Sequence, residues 1–236
     1  MGVVHRAYRF EPVLFHKYLQ SNLMVGDRLS LEALRTLAVT TVDSANESTR
    51  QALNAIRFTP ESLKASGDSP EAEQDFAEPR VRINHAGELY MAILCGNLSP
   101  VPSLSNRLQI SWQVLEIGLP HLGWNINDVK SLIYGYPLHS LVKSSGIAQF
   151  ASIFTGVDQF GGWLSYGATA SLISKISKAR SAIQATTQGL PSNLIELAEL
   201  GSTDPRDMIR DAYADALEML QTVLDKSQVL FLVLDY

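Results

Sequence analysis

A single cysteine, Cys95, stands in 236 residues, so no internal disulfide can form. A reducing compartment is the simplest consequence, and the chain is expected in the cytoplasm. Charge is sparse as well: 18% of residues are charged and the net charge is −5. That acidic balance argues against a nucleic-acid partner. No run of 18 apolar residues occurs, so neither a membrane span nor a membrane partner is expected. The start, Met1-Gly2-Val3-Val4-His5-Arg6, lacks the long apolar region and cleavage pattern of a signal peptide. Met1-Gly2 opens like a myristoylation site, but Arg6 stands where that motif wants Ser or Thr. No repeat recurs at a fixed period.

Catalytic signatures are missing too. The chain has no G-x-x-x-x-G-K-[ST], no H-E-x-x-H, no paired C-x-x-C and no G-x-S-x-G. No G-x-G-x-x-G follows a strand. Common nucleotide, zinc-protease and hydrolase chemistries lose their usual warrant.

What the chain does have is apolar residues, 46% of the total, enough for a sizeable core in one domain over 1–236. The organising stretch is the C-terminal one. Thr203 or Asp204 can cap a helix, and Pro205 fits its first turn. Ile209, Ala212, Tyr213, Ala216, Leu217, Leu220, Val223 and Leu224 then recur at helical spacing, with Asp211, Asp215 and Glu218 mostly off that stripe. Val229 to Leu234 is apolar without alternation, which predicts a strand covered on both faces. Residues 2–10 read as a second strand, and the proposal is that it pairs with the C-terminal one at 228–235. Both ends of the chain would then meet in one small sheet, giving an α+β fold that is mainly helical.

Between the ends, helices dominate. Pro12 starts a helix at about 12–20. Residues 29–58 read as one long helix or two, with Ser30 and Ser44 as caps and Glu47 completing a capping box. Residues 66–80 hold five acids, two prolines and a glycine, and predict an exposed acidic loop. Val81–Ile83 suits a short strand leading into a helix. Ser103 or Ser105 should cap a helix whose stripe is Leu108, Ser111, Trp112, Leu115 and Leu119, stopped by Pro120. Asn127 or Asp128 caps a short helix through Val129, Leu132 and Ile133, and Leu138, Leu141 and Val142 continue on another. Ala168 to Thr187 is a clean amphipathic helix, and Pro191 to Leu200 a short one ended by Gly201.

Arg82-Ile83-Asn84-His85-Ala86-Gly87-Glu88 resembles the R-x-[DN]-H-A-G-E motif of the di-iron hydroxylases of ubiquinone biosynthesis. The resemblance implies a helix of a four-helix ferritin-like bundle, with Glu88 as an iron ligand. It covers seven residues. Such a centre also needs further carboxylates and two E-x-x-H pairs. None of the histidines, His5, His16, His85, His121 and His139, has a glutamate three residues before it. No metal and no cofactor is therefore expected, and Asn84 as a helix cap accounts for the same residues.

Trp124, Tyr134, Tyr136, Trp163 and Tyr166 lie in a glycine-rich region of short elements. Such aromatics form interface hot spots, line pockets, or sit as satellite core under loops. They are the candidate binding residues of a protein-binding or regulatory protein with a protein partner. The alternative is an enzyme of an unfamiliar class, using His121 or His139 as acid–base near Glu116 or Asp128, beside an aromatic pocket. Cys95, next to Ile93 and Leu94, suits a buried inert thiol.

Overall fold

The two terminal strands pair directly. In the structure, a computed structural model, β1 (Val4–Phe10) runs antiparallel to β7 (Val229–Asp235), from Val4 opposite Asp235 to Phe10 opposite Val229. The structure describes residues 4–13, 24–25, 28–29, 31–47, 49–50, 59–65, 89, 91–143, 161–185, 190–201, 204–223 and 226–235. The expected acidic loop at 66–80, the strand at 81–83 and the whole motif at 82–88 lie outside them.

Three short strands complete the sheet: β4 (Ser99–Val101), β5 (Tyr136–Pro137) and β6 (Gly162–Leu164), in the order β4-β1-β7-β6-β5. All pairings in it are antiparallel. Each edge strand is two or three residues long and carries a proline, Pro100 or Pro137, which has no N–H to offer another strand. Val229 and Phe231 are buried, and so are Leu230 and Leu232, which is why β7 reads as an unbroken apolar run.

The contacts divide the chain into two compact units. One holds Met1–Phe10, Ser99–Pro137 and Phe160–Tyr236; the other holds Glu11–Leu98 and Leu138–Gln159. The second unit contains the small hairpin β2 (Met24–Val25) and β3 (Arg28–Leu29), with α1 (Leu31–Ser44), α2 (Pro60–Ala65), a helical stretch at 91–96 and, from its second segment, Leu138–Lys143. Leu34, Ala38 and Val42 form the buried stripe of α1. The helix after it is capped by Asn46, whose side chain accepts from Thr49 N–H at 2.9 Å, and not by Ser44. The Ser44 hydroxyl instead donates to the carbonyls of Thr40 and Thr41 within α1.

The first unit packs α3 (Ser111–His121), α4 (Ile126–Tyr134), α6 (Tyr166–Ala185), α7 (Ser192–Leu200) and α8 (Pro205–Gln221) with its sheet; Leu138–Lys143 is α5. Ala7, Leu164, Leu230 and Leu232 from the strands join Leu115, Leu119, Val129, Leu132, Ile176 and Leu220 in one core. Each side chain of this kind contributes roughly 1.5–3 kcal/mol on burial. Asp204 caps α8 by accepting from Arg206 N–H at 2.7 Å, with Pro205 at the first turn. Asn125 caps α4, accepting from Asn127 N–H at 2.8 Å, in place of the expected Asn127 or Asp128. Helix α3 begins at Ser111 rather than near Ser103, because residues 104–107 are held by tertiary partners described below. No described helix is long and apolar enough to cross a membrane.

Candidate functional site

Gly135 ends α4 at φ 72°, a conformation that a side chain would strain, and turns the chain into β5. Across the next strand, Gly162 lies against this turn so closely that a Cβ there would run into the carbonyl oxygen of Tyr134. The two glycines let the backbones of 134–136 and 162–163 meet. The consequence is a register that sets Tyr136 opposite Trp163. Their rings contact edge to face, with centroids 6.4 Å apart and planes at 69°, a favoured arrangement for aromatic pairs.

Tyr136 stays 43% exposed and Tyr134 36%, while Trp163 is half-buried. The Tyr134 hydroxyl donates to Glu116 Oε1 of α3 at 2.7 Å, which fixes the second ring. Three of the five expected aromatics thus gather at one sheet edge. The other two do not join the exposed group as open rings: Trp124 and Tyr166 are partly buried and pack against the main core.

His121 and His139 fall in different units. His139 is half-buried on α5, and His121 is exposed at the end of α3. His121 borders a small pocket formed with Val114, Gly118, Leu194, Ile209 and Tyr213, and none of the five aromatics lines it. Its cavity volume is about 10 Å³, room for about one water. Tyr213 is buried there, its hydroxyl has no hydrogen-bond partner, and burial pushes its pKa up. Cys95 is partly buried on the helical stretch at 91–96, and desolvation pushes its thiol up to about 12, which keeps it protonated and unreactive near neutral pH. Among the described residues no cluster of three or more His, Cys, Asp or Glu could hold a metal ion.

Two buried ionisable groups escaped the reading of the sequence. The first is Asp215, which the helical spacing put off the apolar stripe of α8 and which is fully buried. It accepts from Ser111 Oγ at 2.7 Å, from Arg107 N–H at 3.1 Å and from Arg107 Nη1 at 2.6 Å. Arg107 also pairs with Glu218 at 2.8 Å, and the two carboxylates raise the guanidinium pKa. Ile110 at the start of α3 makes no side-chain capping bond, and Asp215 ties that end of the helix to α8 through the Ser111 hydroxyl.

The second is His5, fully buried on β1. Its Nε2 meets the Ile133 carbonyl oxygen at 2.8 Å, and Leu104 N–H donates to its Nδ1 at 3.3 Å. A carbonyl only accepts, so the proton sits on Nε2. The His5 N–H donates in turn to Ser105 Oγ at 3.1 Å. Desolvation lowers the His5 pKa from 6.5 to about 4, against the opposing pull of the Ile133 carbonyl. Neither residue carries a local signature; a long-range contact defines each.

Compared with known proteins, the chain matches no family model, no curated protein and no solved structure.

Proposed function

We propose that this is a protein-binding or regulatory protein whose recognition surface is the aromatic sheet edge at Tyr134, Tyr136 and Trp163. The observation that carries the reading is the exposed Tyr136 ring, held edge to face against Trp163 on a backbone locked by Gly135 and Gly162. Tyrosine and tryptophan bring large contact area with few rotatable bonds, and a ring already held in place loses little entropy on binding. Proline in both short edge strands disfavours recognition by strand addition, so the side chains themselves would make the contact. The alternative, an enzyme using His121 or His139, has less support. The pocket beside His121 has room for about one water, and His139 lies in the other unit.

The test is native mass spectrometry of the chain purified gently from its own host, beside the Tyr134→Ala/Tyr136→Ala variant. A second polypeptide at fixed stoichiometry is expected with the natural chain and lost with the variant. Truncating a hot-spot residue costs about 2 kcal/mol or more, roughly 30-fold in affinity. A variant that retains the polypeptide refutes the assigned surface, and a natural chain that carries none refutes the binding reading.

A further inference from the structure

We infer that His5 is a proton-sensitive pin: a proton taken up at Nδ1 breaks its bond to Leu104 and frees the end of α4, which carries Tyr134 and leads through Gly135 to Tyr136, so that acid loosens the aromatic edge. This rests on the recognition surface proposed above. The geometry opposes a proton on the ring in place. Nε2 already donates to Ile133, and Nδ1 faces the Leu104 N–H, so a protonated ring would set donor against donor. The Ile133 carbonyl is among the last four of α4, which have no partner inside the helix. His5 is its partner, one residue before Tyr134. A buried imidazolium gains stability only by reaching water, and movement of the ring toward solvent takes the donor away from Ile133.

Among the described residues no carboxylate pairs with His5; on β7 the residue opposite it is Leu234, and Asp235 stands opposite Val4. On β1, Arg6 is an exposed cation at the next position, whose side chain alternates to the other sheet face. In the segment after Leu104, Arg107 is committed to Asp215 and Glu218. On α4, Asp128 pairs with Lys175 and Lys130 is exposed. On α3, Glu116 accepts from Tyr134. The causes of the lowered His5 pKa are burial, which lowers it, and the Ile133 carbonyl, which raises it.

The direction follows from linkage. The closed form binds its proton at about pH 4 and the opened, hydrated ring at 6.5. Above 6.5 both are neutral and the pin is intact. Between 6.5 and 4 only the opened form charges, so closure weakens as pH falls. From pH 7.5 to pH 5 the opening equilibrium should rise about 30-fold.

Amide hydrogen exchange, corrected for the intrinsic effect of pH, reads this at His5, Leu104 and Gly135. The natural chain should show the rise, and His5→Gln, whose amide donates and accepts without titrating, should stay flat. A flat natural chain, or an equal rise in His5→Gln, overturns the inference. Should His5→Gln fail to fold, nitrogen NMR of the natural chain decides. A ring protonated on Nε2 and neutral until about pH 4 upholds the pin, and titration near 6.5 overturns it. A chain that opens in acid but captures no partner sinks the recognition surface alone; one that captures a partner without opening sinks the pin alone.

Discussion

Replacing Asp215 by alanine probes how the first unit holds α3 to α8. The carboxylate is fully buried and takes three hydrogen bonds, two from Arg107 and one from Ser111. Breaking a buried charge pair costs about 3–5 kcal/mol when an uncompensated charge stays behind. Here the surviving guanidinium is 42% exposed and keeps Glu218, so the lower end applies to it. The buried Ser111 hydroxyl, left without its acceptor, adds about 1 kcal/mol. Asp215→Ala should therefore lose about 3–4 kcal/mol, a large share of a typical stability of roughly 5–15 kcal/mol. Arg107→Ala leaves the buried Asp215 carboxylate without its cation, held only by the Ser111 hydroxyl and a backbone N–H, and should cost about 3 kcal/mol. Glu218→Ala breaks only a partly exposed pair and should cost less than about 1 kcal/mol. Urea unfolding with an unchanged slope measures all three. A coupling of more than about 1 kcal/mol between Asp215→Ala and Arg107→Ala is expected from the double-mutant cycle. If Asp215→Ala costs no more than Glu218→Ala, the carboxylate is not the tie that the geometry makes it.

Two further predictions concern the sheet and its glycines. Leu232→Asp puts a charge between Ala7 and Gly162 on the central strand and should cost more than about 4 kcal/mol, removing the cooperative thermal transition seen by circular dichroism. Gly162→Ala and Gly118→Ala should move melting in opposite directions. The first drives a Cβ into Tyr134, while the second places one 4.0 Å from Leu194 on a helix and gains up to about 1 kcal/mol. Calorimetry on the pair checks the sign, and a stable Gly162→Ala would refute the close approach that builds the aromatic edge.

Much of the fold was legible because periodicity reports burial. The stripe of α8, its Asp204 cap and Pro205, the short α4 and α5, and the unbroken β7 all follow from local spacing and caps. The short strands were not legible. Ser99–Val101, Tyr136–Pro137 and Gly162–Leu164 are too brief to alternate, and they are strands because β1 and β7 offer partners to β4 and β6, and β6 in turn to β5. The start of α3 was misplaced for a related reason: Ser103 and Ser105 look like caps, yet Leu104 and Ser105 bond to His5, and Arg107 to Asp215.

The aromatic residues of the candidate site were visible as types, and composition marked their region. Which of them share a surface was not, because Tyr136 and Trp163 meet only across a strand pair, while Trp124 and Tyr166 settle on the core. By itself the sequence determined that both ends of the chain are strands, that helices fill most of the interval, and that no local catalytic motif is present, since each of these is written in neighbouring residues. Tertiary structure alone decided the burial of His5 and Asp215, the pairing of Tyr136 with Trp163, and the close approach at Gly162. Those depend on groups far apart in the chain, whose hydrogen bonds and ring contacts form only once the helices and the sheet enclose them.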